Sequence, residues 1–272
     1  MHLDERGALA AYRFDSLPRE SVDALVSTRI GGASPAPYAS LNLGLGVADD
    51  PDAVVENRRR LFSAYGLDLG RSVWARQVHS DVVAVVGAED AGRGALDMGS
   101  AVQDTDALVT DVAELVLCVT VADCAAVAIY DPASPAIGLA HAGWSGTVAR
   151  IASRTAQVMQ ERFGSDPTEL LAGIGPSMPP TSYEVEGDVI ARVHDAYGAQ
   201  APHLLEPLGD GKALLDLWRA NSLDLEEAGV DPRNIEVSDL STADTLNHFY
   251  SHRTEGKTGR FAAVVSLLDR RD

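Results

Sequence analysis

Residues 120–146, TVADCAAVAIYDPASPAIGLAHAGWSG, combine two apolar segments with one cysteine and one histidine. The segments at 126–129 and 136–140 are rich in Val, Ile and Ala and predict two short strands. Cys124 directly follows the apolar run LVLCVTVA and Asp123, and His141 follows the second segment. Both polar side chains therefore lie where a predicted strand leaves the core, which favours a functional site at these strand ends.

Similar short strands are predicted on both sides of this stretch. They cover residues 23–30, 73–78, 82–86, 107–109 and 115–121, and later ELLAGIGPS, NIEVSD and RFAAVVSLL. Helices are predicted in DDPDAVVENRRRLFSAYGL, over residues 147–163, and in VEGDVIARVHDAYG and DLWRANSLDLEEAGV. The first helix has Asp49 or Asp50 as its cap and ends at Gly66, and Gly164 closes the second. Strands and helices alternate, which predicts a mixed α/β fold.

The domain organisation follows from the uniformity of the chain. No low-complexity linker, composition break or fixed-period repeat interrupts the order of elements. We therefore predict a single domain over residues 1–272, in which residues 1–22 form a peripheral N-terminal segment.

Composition and charge exclude several classes of partner. The chain has 272 residues, of which 46% are hydrophobic and 23% charged, as in an ordinary globular protein. Its 22 basic and 40 acidic residues give a formal net charge of −18, which repels nucleic-acid phosphates and anionic membranes. We expect neither as a partner. A small anionic substrate is compatible with this charge, because a few arginines in one cleft outweigh a distant negative surface.

The sequence predicts a cytoplasmic protein. The first thirty residues are charged throughout and contain no apolar core of the length that a signal peptide needs. The most apolar stretch, residues 115–121, is far shorter than the ~20 residues that span a bilayer. Cys118 and Cys124 are too few for a disulfide framework, so free thiols are expected. Without a coiled-coil pattern, a monomer is the default expectation.

A second histidine extends the candidate site. His79 ends the strand predicted in VWARQVHSD, so His79, Cys124 and His141 could converge at one edge of a sheet. Two imidazoles and one thiolate suit Zn²⁺, and three protein ligands leave a fourth position open, as in catalytic zinc sites. The residues leave two alternatives open. Cys124 could be a nucleophile with His141 as its base, or its thiol could simply fill a turn.

Other polar residues are weaker candidates. His248 and His252 are four apart, but NHFYSHRTEG predicts strand or loop, in which this spacing does not bring imidazoles together. Arg29, Arg58 and Arg253 each lie beside a predicted turn or helix, and one or two of them could hold phosphate through forked hydrogen bonds. The alternative for each arginine is a solvated surface position.

Taken together, the motifs resemble those of one known family. STRIGGAS, YASLNLG, VVENRRRL, RQVHS, TDALVT, VTVADC, GLAHAGWSGT, GIGPS and FYSHRTEGKTGRFAAVV occur in the family's order. The chain resembles the YfiH-like family, long described as multi-copper polyphenol oxidases or laccase-like proteins and now as purine nucleoside phosphorylases with adenosine deaminase activity. The resemblance implies a single domain of packed mixed β-sheets flanked by helices, similar to the catalytic domain of cytotoxic necrotizing factor.

The resemblance also assigns roles to residues. It implies that His79, Cys124 and His141 bind a catalytic Zn²⁺, with copper as an alternative ion in vitro. The chain departs from the family pattern at Ser145, where a basic residue is usual. Further departures lie at Ala126, Ser241 and His252, where Pro, Cys and Tyr are common. Loss of the cation at Ser145 would alter the affinity for an anion, whereas the three ligands are intact.

The expected function is phosphorolysis of a purine nucleoside, adenosine, inosine or methylthioadenosine, with adenosine deamination as a second activity. For the phosphate we expect Arg29, Arg58 and Arg253 as ligands, and for the nucleoside Asn42 and Gln77. Three alternatives are an editing hydrolase of peptidoglycan precursors, a copper-dependent laccase and a non-catalytic metal-stabilised binding protein. The laccase alternative needs many imidazoles, usually in His-x-His pairs, and the chain contains no such pair.

Overall fold

Two six-stranded mixed sheets form the body of the protein in a computed structural model that describes residues 1–269. The strands are β1 His2–Arg6, β2 Leu9–Arg13, β3 Val22–Ser27, β4 Ser72–Trp74, β5 Val83–Val85, β6 Ala107–Thr110, β7 Val116–Val121, β8 Ala125–Asp131, β9 Ala136–Ala142, β10 Leu171–Ile174, β11 Glu184–Glu186, β12 Leu205–Gly209, β13 Lys212–Leu215, β14 Ile235–Val237 and β15 Phe261–Leu267. The first sheet has the order β1-β2-β3-β15-β7-β4 and the second β14-β10-β8-β9-β6-β5. A small third sheet has the order β11-β13-β12.

Helices pack on the outer faces of the two large sheets and beside the third sheet. They are α1 Pro51–Tyr65, α2 Trp144–Val148, α3 Ile151–Phe163, α4 Asp188–Tyr197, α5 Leu217–Glu227 and the single turn α6 His252–Glu255. Short 3₁₀ helices lie at Leu69–Arg71, Ala88–Asp90, Pro167–Glu169, Gly198–His203 and Pro232–Asn234. Leu61 and Phe62 of α1 share one apolar cluster with Leu25 and Val264 of the first sheet. α3 packs on the second sheet, so the layers run helix, sheet, sheet, helix.

The stretch 120–146 lies at the centre of this arrangement. In β8, Ala126, Ala128 and Tyr130 face the first sheet, whereas Val127 and Ile129 face the helical layer. Every residue of β8 and β9 is buried, which explains why both read as nearly continuous apolar runs. The mixed α/β fold predicted from the sequence is confirmed, and the described chain is one domain.

The N-terminal segment is more integral than predicted. Residues 1–22 were expected to be peripheral, yet β2 is hydrogen-bonded between β1 and β3. Leu9, Ala10 and Ala11 of β2 are buried. The short stretch LAAYR contains no β-branched residue and does not alternate, so it does not stand out as a strand by itself; the neighbouring strands stabilise it.

Two predicted elements differ from those in the structure. The helix over residues 147–163 is wrong as one unit, because Arg150 takes a positive φ of 65° between α2 and α3. The Arg150 guanidinium donates to Asp224 at 2.5 Å and to the Ala196 carbonyl at 2.7 Å, and these tertiary contacts hold the break. The strand predicted at 73–78 stops at Trp74, and the chain then leaves the sheet toward His79.

No helix among residues 1–269 is both long enough and apolar enough to cross a membrane. Both cysteines, Cys118 and Cys124, are free thiols, as predicted.

Candidate metal centre

Three strand ends bring the candidate ligands together. His79 lies in the loop after β4, Cys124 in the turn from β7 to β8, and His141 near the end of β9. One ligand atom from each residue lies within 4.8 Å of the others, and Cys124 Sγ is 3.9 Å from His79 Nε2. Tetrahedral zinc ligands are separated by roughly 3.5 Å, so shifts of about 1 Å would close the set around an ion. Within the described chain, this is the group whose donors fit a metal ion.

The backbone at two of these positions is unusual. His79 has a φ of 61°, and Asp123, just before Cys124, has a φ of 86°. Such left-handed conformations are uncommon outside glycine and are retained only where surrounding contacts hold them. The Asp123 carboxylate accepts from Thr242 Oγ1 and from the Arg253 N–H, each at 2.7 Å. Asp123 therefore ties the Cys124 turn to the segment that carries α6.

Asp106 holds the two histidines in place. It lies directly before β6 and is fully buried. Its Oδ1 is 2.8 Å from His141 Nδ1 and accepts the His79 N–H at 3.0 Å. Its Oδ2 accepts from Val78 N, Ser80 N and Ser80 Oγ at 2.7–3.1 Å. A carboxylate on Nδ1 leaves Nε2 of His141 free for the ligand position, which is the usual support of a metal-binding histidine.

The electrostatics of the centre favour a thiolate. Burial would raise the pKa of the Cys124 thiol, but the two neighbouring imidazoles of His141 and His79 lower it below its ordinary value. Burial would lower the pKa of His141, but Cys124 and Asp106 raise it. The Asp106 carboxyl has its pKa lowered, since hydrogen bonds from His141 and Ser80 outweigh its burial. A thiolate is the form in which cysteine binds a metal.

Gly143 lies against the ligands. A Cβ at this position would be 2.8 Å from Cys124 Sγ and 3.0 Å from His79 Cδ2. Its φ is −74°, which any residue adopts, so the requirement for glycine is the space beside the ligands. The close approach of Cys124 and His79 therefore explains the glycine that follows HA in AHAGW.

Gly143→Ala is expected to weaken metal binding by about 5- to 100-fold, because overpacking typically costs ~1–3 kcal/mol and the atoms displaced are ligands. Competition of a chromophoric chelator for zinc measures this. Gly46→Ala is the matched control, since a Cβ there meets no atom within 4 Å. Equal zinc affinity in the two variants would contradict the assignment.

The ligands open into a cavity of about 460 Å³. Its wall includes the loop 44–47, Gln77 and two arginines, Arg58 and Arg260. His252 also lines it, but no aspartate or glutamate of residues 1–269 does. The chain has a net charge of −18, so a cavity lined by two arginines and no carboxylate is more positive than the protein as a whole. Such a cavity attracts anions.

Gln77, which was expected to contact the nucleoside, lines the cavity. Its amide is engaged with one partner: Nε2 donates to the Thr120 carbonyl at 2.8 Å, and Oε1 accepts from Thr120 N and Oγ1 at 2.9–3.0 Å. This pairing continues the sheet hydrogen bonding where β4 has ended, and it carries the chain toward His79.

Arg58 lies beneath the cavity with its guanidinium committed to the protein. It donates to the carbonyl oxygens of Leu43, Gly94 and Ala95 at 2.5–3.0 Å. The guanidinium carbon is 3.5 Å from the ring centroid of Trp74, and burial lowers the pKa of Arg58 to about 9. Four of its five N–H groups donate to carbonyl oxygens. Arg58 therefore stabilises the loops of the cavity and has no pair of free N–H groups for phosphate.

Arg29 and Arg253 lie away from this cavity. Arg29 donates to the carbonyls of Ala39, Leu246 and Phe249 and to Glu255, so it fastens the long loop after β3. Arg253 lines a neighbouring cavity of about 310 Å³ and donates to the Glu184 carbonyl.

Asn42 is fully buried and bonds to the protein instead of facing the cavity. Its Oδ1 accepts from the N–H groups of Gly44 and Arg260, and its Nδ2 donates to Asp49. The structure thus brings two of the five predicted substrate residues, Arg58 and Gln77, to the cavity wall, and the side chains of both are hydrogen-bonded to the protein.

Comparison with known proteins identifies the family. A family model described as multi-copper polyphenol oxidoreductase laccase matches residues 23–268. The chain belongs to this family. YlmD of Geobacillus stearothermophilus, named a purine nucleoside phosphorylase, is 38% identical over 241 residues, 88% of each chain. YfiH of Escherichia coli, with the same activity name, is 35% identical over 250 residues, 92% of this chain and 95% of its own. The crystal structure of Geobacillus YlmD shares 35% identity, covers 98% of both chains and superposes with a TM-score of 0.93.

The resemblance to the YfiH family stated from the sequence motifs is therefore confirmed. The four positions expected to depart from its pattern are all distinct from the three candidate ligands. Ala126 is buried in β8 opposite His141, and the Ser241 hydroxyl donates to Asp244. His252 reaches the cavity wall, whereas the His248 ring bonds to the Tyr12 hydroxyl at 2.7 Å. The two four-apart histidines therefore have different surroundings.

Sequence reasoning missed two residues of this YfiH-family site. Asp106 begins the motif segment DALVT, and its signal is a carboxylate directly before the mainly apolar segment ALVT. Arg260 precedes β15 and lines the cavity, but in the sequence it is one arginine near the end of a polar loop. Neither position carries a ligand-type spacing, so only the folded chain reveals them.

Proposed function

We propose that this protein is a zinc-dependent purine nucleoside phosphorylase. It would convert adenosine, inosine or methylthioadenosine and phosphate into the free base and the corresponding pentose 1-phosphate. Relatives that align over most of this chain, YlmD and YfiH, carry the phosphorylase name. His79, Cys124 and His141 would hold the ion, which would supply Lewis acidity beside the cavity.

The observation that carries this proposal is the charge of the cavity. Phosphorolysis must bring a phosphate dianion to the same place as an uncharged nucleoside. The cavity joins the ligand cluster to two arginines, and none of the described acidic residues lines it. A volume of about 460 Å³ is in the range of small-ligand sites.

The reaction balances without any further reactant. A phosphate oxygen forms a bond to C1′ while the bond from C1′ to the purine nitrogen breaks. The electron pair of that bond leaves with the purine, and the proton that phosphate loses ends on the purine nitrogen. Catalysis therefore requires the anion to be positioned behind C1′ and charge on the departing base to be stabilised.

The same centre would support adenosine deamination, in which water replaces the amino group at C6 and ammonia leaves. We infer one site for both activities, because residues 1–269 contain one group with metal-ligand chemistry. That single group also disfavours laccase chemistry, whose trinuclear copper cluster requires many more imidazoles. We further infer a cytoplasmic monomer, whose reducing surroundings keep Cys124 a free thiol.

Product analysis tests the proposal. Purified protein of known zinc content is incubated with adenosine or inosine, with and without phosphate, and free base, ribose 1-phosphate and ammonia are quantified. We expect base and ribose 1-phosphate in equal amounts and only with phosphate present. Ammonia from adenosine, independent of phosphate, would support deamination. Zinc at one equivalent with none of these products would overturn the nucleoside function, and peptidoglycan precursors would then be the substrates to test.

A further inference from the structure

Arg260 is a cation that forms no direct ion pair within the described protein. Its side chain is half-buried, yet no carboxylate of residues 1–269 lies within ion-pair distance of it. Its Nη1 donates to two neutral acceptors, the carbonyls of Thr258 at 3.1 Å and Gly259 at 2.9 Å. Taking a cation out of water without a counter-charge is costly. The chain has 40 acidic residues, yet Arg260 pairs with none of those described. Its guanidinium is therefore suited to an anion that binds from solution.

The backbone of Arg260 is held on both sides. Its N–H donates to Asn42 Oδ1 at 2.8 Å, and its carbonyl accepts the Leu43 N–H at 2.9 Å. Its stem packs on Gly44, where a Cβ would lie 2.8 Å from both Cβ and Cγ of Arg260. Asn42 is therefore a positioning residue. The loop motif SLNLG holds the backbone of Arg260 and packs against the start of its side chain.

Arg260 is one of the residues that line the cavity containing Cys124 and His141. The hydrogen bonds of Nη1 leave Nε and Nη2 without a partner among the described residues. These atoms form one edge of the planar fork that matches two oxygens of a phosphate. Arg58, the other arginine of the wall, has no such edge, since its Nε and Nη2 both donate to the Leu43 carbonyl.

We propose that Arg260 binds the phosphate co-substrate through Nε and Nη2, with Asn42 and Gly44 setting its position. This inference rests on the proposed phosphorylase function. It replaces Arg29, Arg58 and Arg253 as the phosphate ligands expected from the sequence.

The test separates the KM for phosphate from the KM for nucleoside in Arg260→Gln and Arg260→Lys. Loss of a charge-assisted pair of hydrogen bonds predicts a phosphate KM about 10- to 100-fold higher for the glutamine variant, with a smaller rise for lysine. The nucleoside KM and the zinc content should stay within about twofold of the unchanged enzyme. Arg59→Gln, on the exposed side of α1, is the matched control.

Gly44→Ala provides a second test that keeps the charge. The added methyl group pushes on the Arg260 stem, so the phosphate KM should rise several-fold while the nucleoside KM does not change. Thermal unfolding shows whether the two Arg260 variants are folded. If neither is, Gly44→Ala still tests the role of Arg260. An unchanged phosphate KM in every folded variant, or a rise confined to the nucleoside KM, would overturn the assignment of Arg260. If the unchanged enzyme itself makes no ribose 1-phosphate, the proposed function fails instead.

Discussion

Cys124→Ala is expected to remove bound zinc and to reduce phosphate-dependent release of base by about 1000-fold or more. The thiolate is the only anionic ligand of the three, and two imidazoles at the distances seen here hold zinc weakly by themselves. Metal catalysis commonly supplies several kcal/mol of transition-state stabilisation, which corresponds to a factor of this size. Elemental analysis of the purified variant and a ribose 1-phosphate assay measure the two effects together.

Cys118→Ala is the matched control, because it makes the same change at the other cysteine of the chain. Cys118 is fully buried in β7, and burial raises the pKa of its thiol, so it is an inert core group. This variant should lose a little stability but keep its zinc and its activity. If Cys124→Ala retained one equivalent of zinc, the ligand assignment would be wrong. If it lost zinc but kept activity, the metal would be structural.

The sequence predicts the central layers of the fold well because their signal is local. β7, β8 and β9 are buried on both faces, so their apolar runs mark them with few errors. α1 begins after Asp50 and ends at Gly66, as its cap and its left-handed glycine predict. Elements that are stabilised by contacts with other parts of the fold are harder to predict from the sequence. The edge strands of the third sheet and the break at Arg150 are stabilised by tertiary contacts, and nothing local distinguishes them.

The same distinction applies to the site. His79, Cys124 and His141 are chemically rare residues at strand ends, and their convergence follows from the pairing of β8 with β9 and the position of β4. The arginines are common residues, and their roles depend on which acceptors surround them. Arg58 is surrounded by carbonyl oxygens, Arg29 pairs with Glu255, and Arg260 forms no ion pair with a carboxylate of the described residues. Sequence patterns cannot predict this difference, because it arises from packing.

Asp106→Asn is expected to lower zinc affinity by about 10- to 100-fold, the usual effect of losing the carboxylate behind a metal-binding histidine. The amide keeps the shape of the side chain but replaces one acceptor oxygen with a donor. Whichever way it is oriented, its NH₂ faces donors: His79 N and His141 on one side, or Val78 N and Ser80 N on the other. Unpaired buried donors also cost ~1–3 kcal/mol each, so the free energy of unfolding should fall by roughly 3 kcal/mol.

Asp104→Asn, two residues earlier, is the control for this change. Its side chain is 71% exposed and lies 3.8 Å from Arg76, and asparagine accepts its positive φ of 50° readily. Zinc affinity by chelator competition and chemical unfolding of the zinc-free protein should both match the unchanged enzyme. Measuring the zinc-free form separates the two roles of Asp106, because the 78–80 loop needs the carboxylate even without an ion. If Asp106→Asn lost stability but kept its zinc affinity, Asp106 would only anchor the 78–80 loop. The five hydrogen bonds of the carboxylate predict that the variant loses both.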